Sequence, residues 1–337
     1  LIVNTGATLT IASGDTIRFT SSSYDLIAGS SSSSTGTITA ANVRFLGVTA
    51  AGDQVIVNSG SAGNFSGCTF ENVDISAVLS APSFSDCILN NSMISLNEAS
   101  PTLLNLTFEN AAYPLEFINE CSPSLTNITF NNVTNRGIRL SGTVNSNWTL
   151  QNYGFPYFLT GSLTVNTGAT LTMASGDTIK FTSTSYDLNI GSSSSSTGTI
   201  SAANVHFRGV SAVGDQVLVN AGSAGIFSGC TFENTDISVV QSAPSFSDCN
   251  LKNSMISLNK ASPTLQNLTI ENAIYPLEFI SECTPALTNI TLNNVTNRGI
   301  RLSGTVTSSW TLPNYGFPYF LTGNLMVNSG ATLTIAS

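Results

Sequence analysis

The chain has 337 residues, of which 9% are charged and 41% are hydrophobic, and its net charge at pH 7 is −9. An average globular protein has about 25% charged residues, so Gly, Ser, Thr and Asn take their place here. The hydrophobic content excludes simple disorder, and ten basic residues are too few for a nucleic-acid-binding patch. No window reaches the roughly 18 apolar residues of a membrane span. This composition predicts an extracellular or cell-surface protein.

The first element, Leu1 to Ser13, recurs from Leu163 to Ser175 and again, at the same offset, from Leu325 to Ser337. Roughly four positions in five are identical between the two long copies, which indicates tandem duplication. We therefore divide one continuous solenoid into repeat 1 (1–162), repeat 2 (163–324) and the start of a third repeat (325–337). Because both ends fall at the same phase and neither resembles a cap, we expect a longer array or head-to-tail self-association.

Repeat 1 contains a shorter, imperfect period, visible in four segments that follow one another at nearly even intervals. Each segment alternates apolar and polar residues, as strands do. In the first of them, Cys68 and Phe70 would face inward and Thr69 outward. The segments are FSGCTFEN from Phe65, FSDCILNN from Phe84, LLNLTFEN from Leu103 and LTNITFNN from Leu125.

The position-by-position match favours stacked parallel coils over hairpins, because like residues would then lie above like in buried columns. We predict an all-β solenoid with about seven coils per repeat, two of them between Phe130 and Phe181. At roughly 4.8 Å per coil, one repeat would rise on the order of 34 Å. The two predicted columns are Val43, Cys68, Cys87, Leu106 and Ile128, and Phe45, Phe70, Leu89, Phe108 and Phe130.

Each segment ends in Asn, which tolerates left-handed backbone geometry and forms local hydrogen bonds at turns. Stacked on successive coils, these side chains would form an internal ladder in which each amide bonds to the next. The predicted ladder residues are Asn72, Asn91, Asn110 and Asn132 in repeat 1, and Asn234, Asn253, Asn272 and Asn294 in repeat 2.

This pattern of coils and asparagines resembles the pectin-lyase-like right-handed parallel β-helix. A second stretch, from Trp148 to Phe181, resembles a module that is common in large prokaryotic surface proteins, and its signature recurs from Trp310 to Ser337. Together the two resemblances cover nearly the whole repeat. They imply a right-handed parallel β-helix and leave the function open, because one fold hosts many functions.

Polysaccharide lyases and hydrolases share the fold that the resemblance implies. Members that hydrolyse pectin carry paired Asp residues and a Gly-His-Gly motif, and this chain has neither: its one histidine, His206, is Arg44 in repeat 1. The lyases use an acidic cluster that binds calcium, with Arg or Lys as the base. Several residues could form such a cluster with its base, but a structural role is favoured for each of them. We therefore predict no enzyme, cofactor or metal. Those residues are Asp15, Asp25, Asp53, Asp74, Asp86, Arg136 and Arg139.

Arg136 and Arg139 also form the most basic spot of the chain. This spot is expected to form an ion pair with Glu116 or Glu120 on the preceding coil, or with a neighbouring chain. A pair of this kind at the surface contributes under about 1 kcal/mol.

Each repeat has three cysteines, at spacings that fit no zinc or haem motif. Cys68 and Cys87 fall on adjacent coils of one column, as do Cys230 and Cys249 in repeat 2. Adjacent strands are close enough for a disulfide, so a coil-to-coil disulfide is one alternative. The other is that both are small buried hydrophobic side chains, since Leu106 fills the same column.

Asn-x-Ser/Thr sequons recur at matching positions of both repeats. Asn132 carries one of them, but as a ladder residue it is expected to be buried. The candidate glycosylation sites, which fall at corners of the coils, are Asn105, Asn127, Asn267 and Asn289.

The leading functional hypothesis is a structural component of an extracellular filament, sheath or stalk made of stacked repeats. The alternative is a cell-surface adhesin or glycan-binding protein. A polysaccharide lyase or hydrolase is the least favoured hypothesis. Aromatic residues that could contact a glycan include Tyr24, Tyr113, Tyr153 and Tyr157.

Overall fold

The computed structural model describes residues 1–30, 34–48, 54–192, 197–211, 214 and 216–336. Over these residues the chain forms β-strands and no helix, so no helix there could cross a membrane. The chain divides into two compact units, Leu1–Ser141 and Gly142–Ser337. Each unit is an all-parallel β-solenoid, consistent with the right-handed parallel β-helix that the sequence predicts.

Unit 1 consists of coils with three short strands each, and each strand pairs in parallel with its counterpart on the next coil. The first sheet holds β1 (Ile2–Val3), β4 (Asp25–Ala28), β7 (Gln54–Val57), β10 (Asp74–Val78), β13 (Ile94–Asn97), β16 (Leu115–Ile118) and the start of β19 (Ile138–Val144). The second holds β2 (Thr8–Ile11), β5 (Thr37–Ala41), β8 (Ala62–Ser66), β11 (Ser83–Ser85), β14 (Thr102–Leu104) and β17 (Ser124–Thr126). The third holds β3 (Thr16–Arg18), β6 (Arg44–Leu46), β9 (Thr69–Glu71), β12 (Ile88–Asn90), β15 (Thr107–Glu109) and β18 (Thr129–Asn131).

Unit 2 repeats this arrangement, with five longer strands of seven to nine residues. Its first face holds the end of β21 (Tyr157–Val165), β24 (Leu188–Ile190), β27 (Gln216–Val219), β30 (Asp236–Val240), β33 (Ile256–Asn259), β35 (Leu277–Ile280) and β37 (Ile300–Val306), which pairs with β39 (Tyr319–Val327). The second holds β20 (Trp148–Leu150), β22 (Thr170–Met173), β25 (Thr199–Ala203), β28 (Ala224–Ser228), β31 (Ser245–Ser247) and the first halves of β34 (Thr264–Glu271) and β36 (Ala286–Asn293), with β38 (Trp310–Leu312) pairing β40 (Leu333–Ile335). The third holds the start of β21, β23 (Thr178–Phe181), β26 (His206–Arg208), β29 (Thr231–Glu233), β32 (Asn250–Lys252) and the second halves of β34 and β36.

The coil count agrees with the prediction of about seven coils per repeat. Repeat 1 contributes six coils to unit 1 and a further coil, β20 with its flanking strand halves, to unit 2. The stretch from Phe130 to Phe181 holds two coils, as predicted. The boundary between the compact units lies at 141/142 and so does not coincide with the repeat boundary at 162/163.

Stacked aromatic rings fill the core between the second and third sheets. In unit 1 the Phe45 and Phe70 rings stack at 4.8 Å, as do Phe65 and Phe84, and the two stacks meet edge to face. The strand register places Phe45, Phe70, Leu89, Phe108 and Phe130 in one column, which confirms the prediction. Burial of large apolar side chains of this kind supplies most of the folding free energy.

Two residues at one end of the predicted columns depart from the expectation. Ile128 and Phe130 were expected in the core but are only half-buried. The reason is that β17 and β18 are the last strands of their sheets in unit 1, so no further strand of those sheets covers these side chains.

The coils turn at three corners, and in several coils all three corner residues have positive φ. In the coil after β13, these are Glu98, Asn105 and Asn110, with φ of 49°, 53° and 55°. The left-handed conformation costs an ordinary residue roughly 1–2 kcal/mol and Asn less, which explains the asparagines. The sharp corners allow the chain to close its shortest coils, such as the one from Asn72 to Asn91, and bring outward side chains of successive coils into line.

Candidate functional site

A groove at one corner of the coils recurs once per repeat, and each copy lies within a single unit. In unit 1 it is a cavity of about 180 Å³, and in unit 2 it is about 620 Å³. We call them the Tyr113 groove and the Tyr275 groove. The first is lined by Asp74, Asn91, Ser92, Met93, Ala111, Ala112, Tyr113 and Arg139. The second is lined by Asp236, Asn253, Ser254, Met255, Asn272, Ala273, Ile274, Tyr275 and Arg301.

Arg139 is held at the edge of the Tyr113 groove by an ion pair and an aromatic ring. Glu116 and Arg139 are paired neighbours on β16 and β19, and their side chains meet at 3.2 Å. The guanidinium carbon lies 5.5 Å from the centre of the Tyr113 ring, a cation–π distance. Ser95 donates a 2.8 Å hydrogen bond to Glu116. Of the two expected partners of Arg139, the structure therefore has Glu116.

Asp74 supplies a second carboxyl group to the same groove. Its Oδ1 accepts a 2.8 Å hydrogen bond from the backbone N–H of Met93. Burial raises the pKa of the Asp74 carboxyl to about 6, and the negative charge of Glu116 adds to the rise. The carboxyl groups of Asp74 and Glu116 therefore both lie near a single guanidinium group, that of Arg139.

The Tyr275 groove reproduces this arrangement in unit 2. Arg301 pairs with Glu278 at 3.4 Å and lies 5.1 Å from the centre of the Tyr275 ring. Met255 N–H donates to Asp236 at 2.8 Å. The lining differs in one matched pair, since Ala112 of repeat 1 is replaced by Ile274, whose side chain is 69% exposed.

Sequence reasoning singled out Asp74, Tyr113 and Arg139 separately, for different reasons, and did not bring them together. They belong to different coils and lie far apart along the chain, and only the stacking of coils places them at one corner. The signal that could have found the groove is the near identity of its lining between the two repeats.

The structure brings most of the predicted ladder asparagines together, but on the outer rim of the corner. Asn91 Nδ2 donates to Asn72 Oδ1 at 2.7 Å, and Asn132 Nδ2 donates to Asn110 Oδ1 at 2.7 Å. Between these pairs, Asn110 Nδ2 donates to Asn90 Oδ1 at 2.9 Å instead. In unit 2 the pairs are Asn253 to Asn234 at 3.0 Å and Asn294 to Asn272 at 2.7 Å.

The expectation of an internal ladder, with Asn132 buried, is wrong. Asn72 and Asn91 are half-buried, and Asn110 and Asn132 are exposed. The inward position at this corner belongs to the next residue along the chain. Those residues are Val73, Ser92, Ala111 and Val133, all buried.

The candidate glycosylation sites form a second ladder at another corner. Asn105 Nδ2 donates to Asp86 Oδ1 at 2.8 Å, and Asn127 Nδ2 donates to Asn105 Oδ1 at 2.9 Å. Asn267 and Asn289 make the same bonds in unit 2. All four side chains are exposed, but an attached glycan would have to displace a ladder bond from Nδ2. Glycosylation at these positions stays a prediction.

All six cysteines are buried free thiols, which corresponds to the small-hydrophobe alternative. A hydrogen bond from Cys87 lowers the pKa of the Cys68 thiol to about 7. The same bond, together with burial, raises the pKa of the Cys87 thiol. Cys230 and Cys249 repeat the pattern in unit 2. The thiols of both pairs donate to backbone carbonyl groups, as Cys87 does to Ser85 at 3.2 Å, and neither pair forms a disulfide.

Of the residues weighed for catalysis, Asp74 and Arg139 share the Tyr113 groove, and the others are not part of its lining. His206 is exposed at the start of β26, and Asp86 accepts a ladder bond at a corner. Asp15 is exposed and Asp25 half-buried, while Asp53 lies outside the described residues. Within the described part of the chain, no group of three or more His, Cys, Asp or Glu side chains is placed to hold a metal ion.

Another cavity, of about 250 Å³, lies within unit 2 where repeat 1 meets repeat 2. Asp177 lines it and is 2% exposed. Neither carboxylate oxygen of Asp177 has a hydrogen-bond partner among the described residues. Burial raises the pKa of this carboxyl to about 7. The cavity is lined by Asn152, Gly154, Phe155, Pro156, Gly176, Asp177 and Thr178.

Comparison of the chain with protein-family models and with curated proteins yields no match. The functional conclusions therefore depend on the residues and geometry described above.

Proposed function

We propose that the chain is a structural component of an extracellular filament, sheath or stalk built from stacked copies of the tandem repeat. In such an assembly, the last coil of each repeat must pack on the first coil of the next repeat. The observation that best supports the proposal is that two such contacts occur within unit 2 and use the same strand register.

The end of repeat 1 packs on the start of repeat 2 through β20 and β22, where Trp148 pairs with Leu171. The end of repeat 2 packs on the start of the third repeat through β38 and β40, where Trp310 pairs with Leu333. The two tryptophans are buried. Parallel pairing that recurs with an unchanged register can continue from repeat to repeat, as an array of stacked repeats requires.

Electron microscopy of the assembled native protein tests the structural role. We expect unbranched rods with an axial period on the order of 34 Å, the rise of about seven coils. Leu150→Arg places a charge in the buried contact between repeats and should shorten or abolish the rods. Thr149→Arg, on the exposed side of the same strand, is the matched control and should leave them unchanged. Globular particles from the native protein would contradict the proposal.

Glycan binding is a second candidate function, and the Tyr275 groove favours it. Its volume of about 620 Å³ lies in the usual range for ligand sites, and an apolar wall with a few polar groups is typical of them. Ile274 and the Tyr275 ring offer an apolar surface to a sugar ring. Asp236 and Arg301 offer an acceptor and a donor to its hydroxyl groups.

A glycan array, followed by titration calorimetry on the best neutral oligosaccharide, tests this second function. Tyr275→Ala should weaken binding at least tenfold, whereas Tyr24→Ala should not, although Tyr24 is an exposed tyrosine too. Equal binding by both variants would remove the groove from consideration.

We also propose that the chain is not an enzyme, because Asp74 and Arg139 are the candidate catalytic groups that share a groove, and Arg139 is engaged there by Glu116 and the Tyr113 ring. Pectin and alginate, supplied with calcium, should show no turnover in a reducing-sugar and unsaturated-product assay. Turnover by the native protein that is lost in Arg139→Lys would overturn the proposal that the chain is not an enzyme.

A further inference from the structure

The carboxylate of Asp177 is the most unusual polar group in unit 2. It follows the turn at Gly176 and immediately precedes β23. Its side chain is 2% exposed, and both oxygens lack a partner among the described residues. Buried charges in proteins are paired, neutralised by a proton, or bound to metal ions. None of the residues that line the cavity beside it is a Lys, Arg or His.

The cavity supplies oxygen atoms from two successive repeats. Asn152 and the loop through Pro156 come from the end of repeat 1, and Asp177 and Thr178 come from the start of repeat 2. Asn152 Nδ2 is engaged with the Ser175 carbonyl at 2.9 Å. Its Oδ1 accepts a hydrogen bond from Gly154 N–H at 2.9 Å, and an amide oxygen has a second lone pair.

We propose that this cavity is a calcium site that links the end of one repeat to the start of the next. Its ligands would be the Asp177 carboxylate, the Asn152 amide oxygen, the Thr178 hydroxyl, backbone carbonyls of the loop 152–156 and water. Calcium accepts six to eight oxygen ligands in irregular geometry, whereas transition metals prefer the imidazole and thiolate groups that this lining lacks. This differs from the sequence prediction of no metal.

A single carboxylate implies weak binding. Calcium sites with few charged ligands bind with dissociation constants of about 10⁻⁴ to 10⁻³ M, as in extracellular modules. The site needs only the contact between coils inside unit 2, so it does not depend on the filament proposal. If the filament proposal is also correct, each contact between repeats would hold one ion.

The chain contains its own control for this site. Asp15 occupies the position of repeat 1 that Asp177 occupies in repeat 2, but Asp15 is exposed. Asp177→Asn and Asp15→Asn therefore make the same chemical change at a buried and an exposed copy of one position.

Terbium luminescence of the full chain, excited through tyrosine, tests the proposal, because Tyr153 lies in the loop 152–156 and Tyr157 follows it. We expect one site per chain, displacement by millimolar calcium, and at least tenfold weaker displacement by magnesium. Asp177→Asn should weaken terbium binding at least tenfold, and Asp15→Asn should leave it unchanged. Calcium should also raise the melting temperature of the native protein and of Asp15→Asn, but not that of Asp177→Asn.

Asn152→Ala provides a second variant, because Asn152 is exposed and its loss should leave the fold intact while weakening terbium binding several-fold. Circular dichroism checks the fold of every variant. The proposal is overturned if calcium up to 20 mM changes neither signal (a concentration about 20 times the weaker constant above). It is equally overturned if Asn152→Ala and a folded Asp177→Asn respond as the native chain does. Loss of rods with an intact terbium site would count against the filament role alone.

Discussion

At the scale of single residues, the corners decide how the chain closes a coil. Asn predominates there because it tolerates the left-handed conformation, yet Leu79, Glu98, Gln241 and Lys260 also have positive φ. Each of these costs roughly 1–2 kcal/mol, which the stacking of the coil must offset. The corners at Asn could be predicted from the sequence. The other four could not, because Leu, Glu, Gln and Lys have no preference for the left-handed conformation.

Asn91 combines a left-handed backbone with a ladder bond, and two substitutions separate the contributions. Asn91→Ala should destabilise the protein by about 2–3 kcal/mol, from backbone strain and a lost hydrogen bond. Glycine adopts the left-handed backbone without strain, so Asn91→Gly should cost only the lost hydrogen bond, about 1 kcal/mol. Asn131→Ala, at an exposed position without positive φ, should stay within about 0.5 kcal/mol. Urea denaturation measures all three, and equal losses for Ala and Gly at position 91 would refute the strain.

Asp74 predicts a pH dependence of stability. Its folded pKa of about 6 lies above the value of about 3.9 in an unfolded chain, so the folded state binds the proton more tightly. This contribution to stability is full below about pH 4 and is lost as the pH rises through about 6. The charged neighbours in the groove are Glu116 and Arg139, and Tyr113 is its other titratable group. Asp74→Asn should remove this part of the pH dependence in denaturation midpoints measured from pH 4 to 7, and an unchanged slope would contradict the assignment.

Thiol reactivity distinguishes the two alternatives that the sequence leaves open, which are coil-to-coil disulfides and buried free cysteines. Because all six cysteines are free and buried, Ellman's reagent should react very slowly with the native protein. In guanidinium without reductant, all six should react. Only Cys121 and Cys283 would react if the two pairs were disulfides.

At the scale of elements, the columns of large side chains hold neighbouring strands in register. Phe70 lies between Phe45 and Leu89 in its column and contacts Phe65 and Phe84 edge to face. The sequence predicted this column from like residues at matching positions. It could not predict that two stacks would meet across the core, because that depends on how the sheets face each other.

Phe70→Ala should destabilise the protein by about 3–5 kcal/mol, the usual cost of removing a buried ring. Phe70→Leu should cost less than about 1.5 kcal/mol, because Leu89 already fills the same position on the next coil. Denaturation midpoints compare the two. Similar losses would mean that the column does not tolerate exchange between Phe and Leu.

At the scale of the whole molecule, the repeats should be interchangeable, since β20 with β22 and β38 with β40 pair in one register. Deleting 163–324 removes one complete repeat and joins positions of equal phase. We expect this shortened chain to fold cooperatively, with a denaturant m-value about half that of the full chain.

Deleting 170–324 instead joins Ala169 to Leu325, which shifts the strand by an odd number of residues and reverses its two faces, and is the matched control. This variant should misfold or aggregate, because the apolar side chains that follow the junction would point outward and would no longer pack on Trp148 and Leu150 of β20. Native-like circular dichroism in both deletions would argue against register as the deciding factor.

The sequence by itself determined the tandem repeat that begins at Leu1 and again at Leu163, the inward columns, the coil count and the Asn corners. These follow from alternation and recurrence along the chain, which are local properties. Only the tertiary structure decided that the ladders lie on the outer rim, that Asp74, Tyr113 and Arg139 share a groove, and that Asp177 is buried without a partner among the described residues while Asp15 is exposed. Each of these depends on which coil covers which, and that is a matter of long-range packing that no local pattern records.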